Sequence, residues 1–137
     1  MLTVPLAIVA DNANISREGK LNVLGVFEHI NAQKVPTAHP FMSLVFVIEG
    51  ERAEAEREHE LKIQLVDADG KVIVNVEGGF KFGLPMSGQL RIKANHIINL
   101  VNVNFPDYGT YEFNIIINKE VRKQIPITIV KPQLIPK

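Results

Sequence analysis

The chain contains no cysteine and no tryptophan. Without thiols it forms no disulfide, no thiolate metal centre and no cysteine nucleophile. It also lacks an excess of charge, because 15 basic and 15 acidic side chains cancel over its 137 residues. A neutral balance argues against a protein built to hold nucleic acid or an anionic membrane surface. The apolar opening stops at Asp11, well short of the roughly 20 residues of a membrane span, and has no basic start of a signal peptide. It is expected to be a buried first strand. These features suggest a cytoplasmic protein, although missing cysteine only permits that reading.

What is present is an ordinary globular composition. Apolar residues make up 46% and charged residues 22%, which excludes wholesale disorder. A chain of this size can bury roughly two-thirds of its unfolded surface. Residues 1–130 are read as one β-sandwich domain and 131–137 as an extended tail, set by Pro132 and Pro136.

The apolar period is two almost everywhere, the spacing of strands. Met42, Leu44, Phe46 and Ile48 share one parity, and Phe41, Val45 and Val47 the other. Apolarity on both sides predicts a strand buried on both faces. Leu61, Ile63 and Leu65 alternate with Glu60, Lys62 and Gln64; Asp67-Ala-Asp-Gly70 then turns the chain into Val72, Val74 and Val76. That is the strongest hairpin signal in the chain. Further strands are expected over Leu21 to Ile30, Leu90 to Phe105, Phe113 to Ile117 and Val121 to Val130. Pro126 cannot donate to a ladder and predicts a sheet edge for the last of these. Seven or eight strands in one domain, with turns every 8 to 15 residues, make a single antiparallel sandwich with little or no helix. Glu51 to Glu58 has helical composition but only two alanines as an apolar stripe, so it reads as a solvated loop or a single turn. Gly78 to Gly88, with Phe80, Phe82 and Met86, reads as a long aromatic loop.

Asp107-Tyr-Gly-Thr-Tyr111-Glu-Phe113 has the form Asp-x-Gly-x-Tyr-x-Phe just before the penultimate strand. It resembles the tyrosine corner of immunoglobulin-like sandwiches. That resemblance implies a structural role for Asp107, Gly109 and Tyr111, with the Tyr111 hydroxyl bonded to backbone upstream. Phe113 stands where antibody-type domains have a cysteine, so the inter-sheet disulfide is absent. Ala7-Ile-Val-Ala-Asp11, Gly19 to Phe27 and Phe41 to Glu60 together resemble a group of short bacterial proteins of unknown function. The likeness covers about the first 80 residues. It implies a small standalone bacterial protein and carries no catalytic residue.

Chemistry-bearing patterns are few. His29, His39, His59 and His96 stand at no chelating spacing from one another, so no metal site and no cofactor is expected. Asp67 and Asp69 offer hard oxygen ligands, but Asp-Ala-Asp-Gly is also an ordinary turn. The glycines at 78, 79, 83 and 88 precede no Lys-Ser or Lys-Thr, and Ser16, Ser43 and Ser87 lack a nucleophile elbow. Residues 1–80 hold 7 basic and 12 acidic groups, and residues 81–137 hold 8 and 3. Such a split can orient subunits head to tail, or merely reflect a solvated Glu-rich face over Glu49 to Glu60.

The expected function is therefore a non-enzymatic protein-binding or self-assembly module. Its partner is another protein, copies of itself included, and neither nucleic acid nor membrane. Leu134 and Ile135, apolar on a proline-flanked tail, are the expected interface. The alternative is a carbohydrate- or calcium-dependent ligand-binding sandwich using the Asp67/Asp69 turn and the Phe80 to Met86 loop. An enzyme of unrecognised type is the third class.

Overall fold

The computed structural model describes residues 1–83 and 85–133. Its strands are β1 (Thr3–Ile15), β2 (Leu21–Val26), β3 (His29–Asn31), β4 (Thr37–Glu51), β5 (His59–Val66), β6 (Val72–Phe80), β7 (Arg91–Phe105), β8 (Gly109–Ile117) and β9 (Glu120–Val130). The one helical segment among the described residues is a 3-10 turn over Arg52–Glu54. The fold is all-β, as the period of two predicts.

Two sheets result, with strand orders β2-β1-β4-β7 and β3-β9-β8-β5-β6. All neighbours are antiparallel except β3 and β9, which run parallel. One core cluster draws Val9, Leu44, Phe46 and Ile92 from the first sheet and Ile63, Phe113, Ile115 and Ile127 from the second. Each fully buried large side chain of this kind contributes roughly 1.5–3 kcal/mol relative to exposure.

The expected hairpin forms β5 and β6, in the register Leu61↔Gly78 to Leu65↔Val74. β8 and β9 are joined by Asn118 and Lys119, with φ of 51° and 70°. Left-handed residues at both positions make the turn whose twist suits a two-residue hairpin.

The two-sided strand is β4, which lies between β1 and β7. Met42, Leu44, Phe46 and Ile48 face the core, and Ser43, Val45 and Val47 on the opposite face are buried too. That second burial has a definite origin. Past Ala10, β1 pairs only with β2, so residues 11–26 form a two-stranded arm. The Asn95 amide on β7 donates to Gly19 O at the arm's tip, 3.0 Å away. Asn95 lies opposite Val47, level with Leu6, and the arm leaves the sheet at Ala10 in the other direction. The bond requires the arm to double back across the outer face of the first sheet. Ala13, Leu21 and Val23 of the arm are half-buried.

Two sequence expectations need correction, and two others hold in part. The stretch Leu21 to Ile30 is two strands in different sheets, β2 and β3, which makes nine strands among the described residues. Strand β6 runs on through Gly78, Gly79 and Phe80, shortening the aromatic loop. The Glu51 to Glu58 segment takes the single-turn form, a 3-10 turn over Arg52–Glu54, and of its residues only Ala55 is buried. The edge expected at Pro126 is present over residues 120–127, which pair with β8 alone, while β3 covers only Thr128 to Val130. Thr128 N donates to Glu28 O on the β3 side. Alternate residues of a strand point their N–H groups to the same side. Pro126 therefore turns its ring nitrogen away from β8, just before the stretch that β3 covers, and no bond of the β8–β9 ladder is lost.

Candidate functional site

The Asp107–Tyr111 motif spans the passage from β7 in one sheet to β8 in the other. Tyr111, 3% exposed, accepts a bond from Asp107 N at 3.0 Å and donates to Asp107 O at 2.8 Å. Its ring meets Phe105 edge-on with centroids 5.0 Å apart. Gly109 adopts φ 122°, a conformation closed to residues with a side chain. Tyr108, which the sequence marks only as a second tyrosine, donates its hydroxyl to Ala32 O at 2.8 Å. Ala32 N in turn donates to Val130 O, so Tyr108 ties the end of β3 to the corner.

Asp67, Asp69 and Asp107 line a cleft of about 210 Å³ together with Tyr108 and Tyr111. Asp67 Oδ1 accepts from Asp69 N and Lys71 N at 2.9 and 2.8 Å. That oxygen is committed to its own turn, the usual task of an Asp at this position. Among the described residues, no three His, Asp or Glu side chains are gathered to hold a metal ion.

The histidines serve different ends. His59 is buried, with Nε2 2.9 Å from Glu54 O and Nδ1 3.1 Å from Asn118 Nδ2. A carbonyl only accepts, so Nε2 carries the proton and Nδ1 accepts from the amide. Asn118 Oδ1 meanwhile accepts from Glu60 N. This histidine is a satisfied structural group. His96 stacks on Phe46 and meets Phe80 edge-on, and its buried Nε2 has no partner among the described residues. Burial holds its pKa below the usual histidine value. His29 and His39 line a shallow recess of about 260 Å³ with Asp11, at the root of the arm. Burial lowers the His39 pKa, against the opposing charge of Asp11. Of the aromatic loop, Phe82 is buried against His59 and Phe80, while Met86 is 76% exposed.

The two outer faces differ in kind. On the second sheet, Gln64 bonds Asn75, Asn75 bonds Glu77, and Lys62 pairs with Glu77 at 3.3 Å. Gln124 bridges Glu112 and Asn114. That face is a solvated polar lattice. On the first sheet, the register puts Leu6, Val26, Phe41 and Val101 on the outer side with Val45 and Val47. All four are exposed, Val101 by 65% and Val26 by 58%. Phe41 and Val101 are direct cross-strand neighbours. Leu134 and Ile135, the expected interface, lie outside the described residues.

A family model described as a family of unknown function (DUF6941) matches residues 5–130. The chain belongs to that family. No curated protein matches this family member. A similar solved structure is the Pseudomonas fluorescens alkylpurine DNA glycosylase AlkC bound to DNA containing an abasic site analog. It is 12% identical, with a TM-score of 0.46, over 93% of this chain and 30% of that one. The chain thus spans less than a third of that protein's length, and a likeness of this strength carries no argument about DNA or catalysis. No helix among the described residues of this family member is long and apolar enough to cross a membrane.

Sequence reasoning missed the apolar outer face as a place. Its residues come from β1, β2, β4 and β7, which only the register brings side by side. The signal that pointed to it was the second parity of β4, read there as burial alone.

Proposed function

We propose that this member of the family is a non-enzymatic protein-binding or self-assembly module, acting through the outer face of its first sheet. The observation that carries this reading is the contrast between the two outer faces. One is tied up in amide and ion-pair contacts, whereas the other exposes Leu6, Val26, Phe41 and Val101 beside a buried apolar strip. Phe41 and Val101 are direct cross-strand neighbours, and exposed apolar side chains that adjoin one another mark interaction surfaces, while single ones need no explanation. The Tyr111 bond to Asp107 and the strand order of the second sheet support an immunoglobulin-like sandwich as the scaffold, and a cytoplasmic place belongs to the same proposal. The ligand-binding alternative has less support. One oxygen of Asp67 is already satisfied by its turn, and Phe82 is buried.

The test is Phe41→Asp, followed by sedimentation velocity from micromolar to near-millimolar protein and by photo-crosslinking from position 101 in cell extract. Association of wild-type protein, with itself or with an extract protein, should weaken tenfold or more in the variant. Phe41 is only 38% exposed, so melting of the dilute variant is followed alongside, and Val101→Asp, at a position 65% exposed, should weaken association with little change in melting. Wild-type protein that neither associates nor crosslinks refutes the reading, as does a variant that behaves like wild type.

A further inference from the structure

Strand edges that stay unpaired invite other strands, and proteins blunt them with charge, proline, glycine or brevity. The edges of this fold differ in that respect. β3 has three residues, and β2 has six with Gly25 among them. β6 carries Glu77, Gly78 and Gly79. The part of β9 that β3 leaves uncovered carries Arg122, Lys123 and Pro126. β7 is the exception. It spans 15 residues and, among the described residues, pairs only with β4. Arg91 and Lys93 guard one end, and a kink at Asn102, φ 51° opposite Pro40, guards the other. Between them Ala94 to Val101 holds no charged residue, proline or glycine.

The same stretch is complementary to itself. Asn95 uses its amide N–H on Gly19 O, which leaves Asn95 Oδ1 as a free acceptor. Asn99 uses Oδ1 to accept from Ser43 Oγ at 2.7 Å, which leaves its amide N–H free to donate. Both side chains lie on the outer face, two residues either side of Ile97.

We propose that Ala94 to Val101 pairs antiparallel with the same segment of a second copy of this chain, about a twofold axis through Ile97. Asn99 then donates to the partner's Asn95 across the seam, and symmetry repeats the bond. Residues directly opposite in an antiparallel pair have Cβ atoms roughly 4.5–5.5 Å apart, within reach of two amides. Lys93 comes opposite the partner's Val101, so no like charges meet. Pairing about a residue keeps both cores on one side of the joined sheet and makes the two apolar outer faces continuous. The contact is isologous and closes as a dimer. It rests on the proposed role in protein binding and names the partner, a second copy joined by strand addition.

Two substitutions test the register. Asn99→Asp keeps the acceptor for Ser43 and the shape of the side chain, but removes the donor. By light scattering and sedimentation equilibrium, it should weaken the dimer about 5- to 150-fold for two lost bonds, with unchanged melting of the dilute monomer. Ile97→Cys introduces the chain's only thiol, placed to meet itself across the axis. Under mild oxidation it should form disulfide dimers at concentrations where Val101→Cys, displaced toward the partner's Lys93, does not. A strictly monomeric wild type at near-millimolar concentration overturns the proposal, as does Asn99→Asp with wild-type affinity or equal crosslinking from positions 97 and 101. If Phe41→Asp abolishes partner crosslinking while wild type stays monomeric, binding through the outer face stands and the twofold seam fails. If the seam forms while Phe41→Asp changes neither association nor crosslinking, the seam stands without that face.

Discussion

Removing the Tyr111 hydroxyl tests whether a single oxygen fastens the passage between the sheets. In Tyr111→Phe the ring keeps its edge-on contact with Phe105, so packing is preserved and only the two bonds to Asp107 are lost. Each net hydrogen bond contributes roughly 0.5–1.5 kcal/mol, and an orphaned buried partner costs more. Asp107 itself is exposed, and water recovers part of the loss. The expected destabilisation is therefore about 1–2 kcal/mol, or a fall in Tm of roughly 3–10 °C for a domain of this size. Urea unfolding should show a lower midpoint with an unchanged slope, the mark of a stability change without a change in compactness. Tyr108→Phe is the comparison. The motif marks only Tyr111, yet the Tyr108 hydroxyl donates to the carbonyl of buried Ala32. A loss of about 0.5–1.5 kcal/mol is expected there. Two variants both indistinguishable from wild type would remove the corner from any account of stability.

His96 should make the fold sensitive to acid. Burial lowers its pKa from 6.5, so the unfolded chain takes up the proton first as pH falls. The stability tied to the neutral imidazole is present above 6.5 and is lost as pH drops from there through the folded value. Urea midpoints between about pH 7 and pH 5 should fall more steeply for wild type than for His96→Phe; parallel profiles would refute this. Gly25→Ala should destabilise by roughly 1–2 kcal/mol, because Gly25 has φ 73° and its added Cβ would strike the Asp11 carboxylate at the root of the arm. Chemical denaturation measures it, and an unchanged midpoint would show that the arm's hinge tolerates a side chain.

What the sequence made legible was local. The alternation of Leu61, Ile63 and Leu65 and the Asp67–Gly70 turn suffice for β5 and β6, because adjacent strands joined by a tight turn carry their register with them. The two apolar parities of β4 likewise announced burial on both faces. Pairings set by distant partners were not legible. No turn signal separates Val26 from His29, yet the chain leaves one sheet for the other there. Pro126 marked the open stretch of β9, but nothing local announced that β3 would cover Thr128 to Val130. In the candidate site, Tyr111 was marked by a motif. Phe41 and Val101 were not, because their contact depends on a register between residues sixty apart.

The parallel pairing of β3 with β9 has a consequence for the order of events during synthesis. His29 meets Thr128, about a hundred residues later. A chain emerging from the ribosome can zip β1 to β2 at once and β5 to β6 soon after. β3 waits with an open edge until about a hundred further residues have been made. Contacts so remote in sequence slow folding, and unpaired strands are the species that aggregate meanwhile. The three-residue length of β3 keeps that waiting edge short.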